Sequence, residues 1–311
     1  MTENLLDDDL KTALNSGLGI NQYHFAVQIL IWFGIFLGCF IFAQTLSGGI
    51  IIAYYQSTDM KQIAAKVYDL NTLRYSQMIA SLFSFLLPAL IFSKLKSQSY
   101  TKYAKANIGF SLLFIILIPL LIVSVYPLIN ISFFINKWLG LNEIMKSTQD
   151  EYKMLVDALL KDNSVSVLIL NIITVAVLPA IAEEWIFRGT FQKLLSEKLN
   201  IHVAVFLASV IFSVIHMEFS GFIPRIILGM FLGYLFYYSG SLWASIFAHA
   251  VNNGTQVIFM YLNNKGIYKV DIDNPEMPQT WEIIVYTIVF AGLWYLFYHF
   301  AQKRKNSTFV Y

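Results

Sequence analysis

Apolar runs bounded by charged or turn-forming residues recur near positions 24–46, 75–93, 108–130, 168–192, 202–218, 222–238, 241–262 and 282–300. Several reach the roughly 20 apolar residues that a helix needs to cross a hydrocarbon core of about 30 Å. The pattern predicts an all-α fold, a polytopic integral membrane helix bundle of about eight transmembrane helices. Ser164–Leu195 is too long for one upright span. It predicts a tilted helix, or a helix preceded by an interfacial segment, with seven or nine as the alternative counts. Two connections are long and polar, Ser57–Asn71 and Lys137–Asp162. In the second, Glu143, Lys146, Asp150, Lys153, Asp157 and Lys161 recur at helical spacing, as in a partly solvated helix beside the membrane; a plain linker is the simpler reading.

Composition strengthens the membrane reading, with 57% of residues hydrophobic and only 13% charged, about half the charge of a soluble domain. The chain divides into a polar N-terminal segment (1–23), N-terminal transmembrane helices with polar loops (24–163), a core holding the unusual polar groups (164–302) and a basic tail (303–311). Glu3, Asp7, Asp8 and Asp9 against Lys11 do not make the cationic start of an export signal, so the first apolar run is expected to be retained. Cys39 is the single cysteine, which excludes an internal disulfide and reads as a small buried apolar residue. A net charge of +2 gives no basis for a nucleic-acid surface. Lys94, Lys96, Lys102 and Lys105 fall on the same side as Lys303, Arg304 and Lys305. That side is expected to be cytoplasmic, in a bacterial plasma membrane, with both termini there.

Ionisable groups inside a span cost several kcal/mol each unless paired or hydrated, so each is a functional-site hypothesis. Here they are few and grouped. PAIAEEWIFRG carries Glu183, Glu184 and Arg188; VIFSVIHMEF carries Phe212 and His216; FAHAVNNGTQ carries His249 and Asn253. Glu184 and Arg188 are four apart and share a helix face, whereas Glu183 points about 100° away. A Glu184–Arg188 pair neutralises both charges and leaves Glu183 to exchange protons. The bland alternatives are one buried ion network fixing helix packing, and interhelical packing bonds for the histidines and asparagine. At about 1.5 Å of rise per residue, Glu183, His216 and His249 lie about 18, 22 and 12 Å deep, so convergence is permitted.

Such a set suits peptide hydrolysis, which needs a base for water, donors for the oxyanion and an acid for the leaving amine. A carboxyl desolvated among apolar side chains suits the base. A histidine can hold the same water or protonate the product. Cys39 is remote in sequence and no Gly-x-Ser-x-Gly is present. The three motifs, E-E-x-x-x-R, F-x-x-x-H and H-x-x-x-N, resemble in order those of the CAAX protease and bacteriocin-processing family of intramembrane proteases, which includes the type 2 CAAX prenyl proteases. The resemblance covers roughly Ile172–Tyr261. It implies that Glu183 activates water, His216 assists, His249 and Asn253 stabilise the oxyanion, and Glu184, Arg188 and Phe212 support the site. Asn252 also precedes Asn253, and helical spacing from His249 selects Asn253. A zinc site of Glu183, His216 and His249 is conceivable, but without H-E-x-x-H a metal-free glutamate mechanism is preferred.

The substrate implied is a membrane-associated protein or peptide, prenylated or carrying a leader, taken from the lipid bilayer. Two other classes compete, a proton-coupled transporter using the same groups as a relay, and a non-catalytic scaffold or bacteriocin-immunity protein on the same fold. No inverted repeat supports the first, and intact motifs weigh against the second. Gly229 and Gly233, spaced G-x-x-x-G, fit a close helix contact within the chain or a dimer, the former being preferred. The oligomeric state is left open.

Overall fold

The computed structural model describes residues 19–56, 59, 69–144, 154, 164–267 and 276–308. Among them eight long helices form: α1 (Phe25–Tyr55), α2 (Asn71–Lys96), α3 (Phe114–Trp138), α4 (Val165–Ser196), α5 (Ile201–Ile215), α6 (Phe222–Ser239), α7 (Leu242–Asn264) and α8 (Thr280–Thr308). The protein is a polytopic helical membrane protein. Six of these helices are long and apolar enough to cross a membrane, all except α5 and α7. With 15 residues, α5 is about 22 Å long, short of a full crossing. In α7, His249, Asn252, Asn253, Thr255 and Gln256 lower the hydropathy of an otherwise sufficient length. The predicted number of crossings therefore does not follow from helix length and apolarity alone.

Boundaries differ from the apolar runs in instructive ways. The run predicted at 108–130 forms a helix only from Phe114, and the helix continues to Trp138 across Pro119 and Pro127. The long segment at α4 is one continuous helix rather than a span with a separate interfacial piece, and it carries π-helical turns at Ile172–Val177 and Trp185–Gln192. Such wider turns are often found at functional sites. The last helix runs on to Thr308, into the segment read as a tail. The polar N-terminal segment to position 18 and most of the two polar connections, including the surface helix expected within Lys137–Asp162, lie outside the described residues.

Two apolar clusters frame the site. One joins Trp32 and Phe36 of α1, Phe92 of α2, Phe187 and Phe191 of α4 and Phe212 of α5. The other joins α3, α6, α7 and α8 through Phe114, Leu121, Leu232, Ala248 and Phe297. Many large apolar side chains outside these clusters, such as Leu30 and Ile116, face outward, as a lipid-clad surface requires.

Helices α5 and α6 pack most closely, and the G-x-x-x-G pair is an internal contact. A Cβ on Gly229 would sit 2.9 Å from Cβ of Ser209 and 3.2 Å from its Cα. The small residues also open α6 carbonyls to side chains from α4: Arg188 Nη2 donates to Gly229 O at 3.0 Å, and Gln192 Nε2 to Gly233 O at 3.1 Å. Gly229→Ala is therefore expected to destabilise the protein by about 1–3 kcal/mol, the usual range for overpacking, read as a lower Tm in detergent. Gly292→Ala, where nothing lies within 4 Å, serves as control; equal shifts for both would refute close packing as the cause.

Candidate active site

Of the sequence-predicted groups, Glu183, Phe212, His216, His249 and Asn253 line one cavity, whereas Glu184 and Arg188 are buried and do not line it. Glu183 and Glu184 sit on α4 just before its second π-helical turn, and both are buried. The two carboxylates have different environments. Glu184 is fully enclosed, and its Oε1 accepts from Arg188 Nη1 and from His249 Nδ1, each at 2.8 Å. The Arg188 guanidinium also lies over the Phe212 ring at 4.8 Å. This ties α4, α5, α6 and α7 into one buried polar knot. The Glu184–His249 bond is a contact that helical spacing alone does not reveal.

Neither oxygen of Glu183 has a hydrogen-bond partner among the described residues. Its Oε2 lies 3.7 Å from His216 Nε2 and 3.8 Å from His249 Nε2. These separations are too long for direct bonds and suit a small molecule seated beside all three atoms. Glu183, His216, His249, Asn252 and Asn253 all line a cavity of about 670 Å³, within the usual range of ligand pockets.

His216 is placed by the end of a helix rather than by its interior, a correction to the span predicted through 218. The helix stops at Ile215 and His216 is its cap. The next residue, Met217, adopts a left-handed φ of 53°. His216 Nδ1 lies 2.7 Å from Phe212 O. A carbonyl only accepts, so Nδ1 carries the hydrogen and a neutral ring presents Nε2 to Glu183 as an acceptor. The same bond satisfies one of the carbonyls left open where α5 ends inside the apolar bundle. Phe212 thus contributes its backbone as well as its ring, which meets His216 edge-on at 4.7 Å and His249 at 5.9 Å.

On α7, Asn252 is the more deeply buried asparagine and donates Nδ2 to Asn253 Oδ1 at 3.1 Å. That bond occupies the Asn253 acceptor and leaves its Nδ2 as the group to donate. Both asparagines line the cavity.

Sequence reasoning also missed Arg225 and Glu218, which line or adjoin the cavity beside His216. Arg225 donates to Glu218 O at 2.9 Å and pairs with Glu218 Oε2 at 2.5 Å. The signal was available, since Arg225 interrupts the apolar run FIPRIILG. Asn136 of α3, fully buried, holds the same loop through Phe219 O and Ser220 O at 2.9 Å and Ile223 N at 3.0 Å.

A zinc ion would have to use Glu183, His216 and His249. His249 Nδ1 is engaged with Glu184, and both Nε2 atoms look toward a single Glu183 oxygen. Among the described residues no group of three His, Cys, Asp or Glu side chains could hold a metal ion.

The fold and site define a class, a multi-pass helical membrane protein with a buried carboxylate–histidine cluster on an internal cavity. Residues 165–255 match the family described as type II CAAX prenyl endopeptidase Rce1-like. A 93-residue stretch is 33% identical to the Bacillus subtilis (strain 168) protein named "Putative membrane peptidase YdiL", covering 30% of this chain and 38% of that protein. The chain thus matches well under half the length of that relative. No solved structure matches. The matched segment contains all three motifs and excludes α1 to α3 and α8.

Proposed function

We propose that the protein is an intramembrane endopeptidase that hydrolyses a peptide bond of a membrane-associated substrate with water activated by Glu183. The observation that carries this reading is the convergence of His216 Nε2 and His249 Nε2 on Glu183 Oε2, at 3.7 and 3.8 Å, on a cavity within apolar helices. The match of residues 165–255 to the Rce1-like family supports it.

In this mechanism a water beside Glu183 Oε2 gives one proton to the carboxylate, while His216 Nε2 accepts a hydrogen bond from the remaining O–H. The hydroxide attacks the scissile carbonyl carbon. Charge developing on the carbonyl oxygen is met by Asn253 Nδ2 and by protonated His249 Nε2, whose Nδ1–H is anchored on Glu184. The proton held by Glu183 passes to the leaving nitrogen as the C–N bond breaks, giving a carboxylate and an amine. Prenylated C-termini and leader peptides both satisfy this chemistry. The termini are assigned to the cytoplasm. Arg304 bonding to Gly109 O supports placing the basic C-terminal end beside the Lys94–Lys105 cluster.

A panel of membrane-associated peptides, prenylated and leader-bearing, presented in detergent tests the reading. Wild type is expected to cleave at least one, His216→Ala to lose most of that activity, and a chelator to leave it unchanged. Cleavage that survives both Glu183→Ala and His216→Ala would sink the mechanism. Loss with chelator and recovery with zinc would sink its metal-free form.

A further inference from the structure

The cavity extends beyond the catalytic groups, and three primary amides stand among its otherwise largely apolar lining. Gln44 of α1, Gln77 of α2 and Gln256 of α7 line it, and among the described residues none of the three side chains has a hydrogen-bond partner. Such groups in apolar helices are costly unless something satisfies them. Three on one cavity from three helices are not explained by packing. Ser47 and Ser76, also on the cavity, hydrogen-bond each other at 3.1 Å and tie α1 to α2 beside the glutamines. Gln44 and Gln256 are exposed while Gln77 is half-buried, so this end of the cavity reaches the surface of the bundle.

Each primary amide offers both a carbonyl acceptor and N–H donors, the same pair of functions that a peptide unit presents. An extended main chain carries unpaired N–H and C=O groups on both edges, and in a protein interior those groups need partners. Recognition through the main chain gives affinity without demanding particular side chains. Gln44 and Gln77 lie outside residues 165–255, the segment that supplies Glu183, His216, His249 and Asn253, whereas Gln256 follows Asn253 on the same helix, α7. Helix α7 thus contributes to both the chemistry and the grip, while α1 and α2 contribute to the grip alone.

We infer that Gln44, Gln77 and Gln256 form a binding track for an extended polypeptide, which it hydrogen-bonds along the main chain and leads from the bundle surface to Glu183. The inference rests on the endopeptidase reading for the direction of travel, and its ligand class is an unfolded peptide segment. A free lipid or a lone prenyl chain has no repeated amides to match the track.

The test uses full-length Glu183→Gln protein in detergent and a fluorescent ten-residue apolar peptide, with binding read by anisotropy. Single Gln→Leu substitutions at the three positions are each expected to weaken binding about 2- to 10-fold, the scale of one hydrogen bond, and the triple variant at least about 10-fold. Leucine suits an apolar helix, so folding is preserved; a matching Gln→Met set and elution as a single species check this. Backbone N-methylation of the peptide is expected to weaken binding to the parent by a similar factor and to leave binding to the triple variant unchanged. Equal affinity of parent and triple variant, or indifference of the parent to N-methylation, overturns the track, as does failure of the parent to bind the peptide. In protein retaining Glu183, a raised KM at unchanged kcat in the glutamine variants supports both readings. Glu183-dependent cleavage with unchanged KM defeats the track alone. Amide-dependent binding without cleavage of any peptide defeats the endopeptidase reading alone.

Discussion

Glu183→Gln is expected to lower kcat for peptide cleavage by about 10²- to 10⁴-fold, the usual contribution of a general base, while changing stability by no more than about 1 kcal/mol. The two halves of the expectation have one cause. Glu183 is 8% exposed, and the His216 and His249 Nε2 atoms stand 3.7 and 3.8 Å from its Oε2. The fold gains no direct hydrogen bond from this carboxylate. Glutamine keeps the shape and removes the ability to take a proton, so activity falls and structure stays. Single-turnover cleavage together with thermal unfolding in detergent checks both. Activity within a few-fold of wild type would show that another group activates the water, and a large loss of stability would show that Glu183 is structural.

The comparison with Glu184 shows how far sequence reasoning reaches. Spacing placed Glu184 and Arg188 on one face and turned Glu183 away, and the 2.8 Å Glu184–Arg188 pair follows that geometry. It was legible because both residues belong to one helix, whose period fixes their relation. Contacts between helices were not. That His249 binds Glu184 through Nδ1, that Arg188 and Gln192 reach carbonyls on α6, and that Asn136 of α3 clamps the loop after His216 all depend on how separate helices dock. The end of α5 was misjudged for a related reason. Met217 and Phe219 alternate with His216 and Glu218 past Ile215, but Met217 takes a left-handed conformation and Glu218 accepts from Gly221 N, which turns the chain. Hydropathy reports burial and is blind to that turn. The membrane class lay in composition, whereas the number of crossings was obscured by the polar side chains of α7 that form the site.

The second large effect concerns the knot behind the site. Arg188→Met is expected to destabilise the protein by about 3–5 kcal/mol, the scale for removing one partner of a buried ion pair. Glu184 is fully buried, and its Oε2 has no hydrogen-bond partner among the described residues. Without Arg188 its charge would be compensated by His249 alone, and Gly229 O would lose its Nη2 donor. Combining Arg188→Met with Glu184→Gln removes the stranded charge, because a neutral amide can still accept from His249 Nδ1. The double variant is accordingly expected to recover most of the lost stability. It should not recover activity, since an imidazolium at His249 is then no longer held by a carboxylate when charge develops on the substrate oxygen, and a deficit of at least about 10-fold, more than about 1.4 kcal/mol in barrier, should persist. Thermal unfolding of the single and double variants in one detergent, set beside their cleavage rates, separates these effects. If the single variant is as stable as wild type, the buried pair is not what holds α4, α6 and α7 together. If the double variant regains full activity, Glu184 acts through packing alone and its charge plays no part in positioning His249.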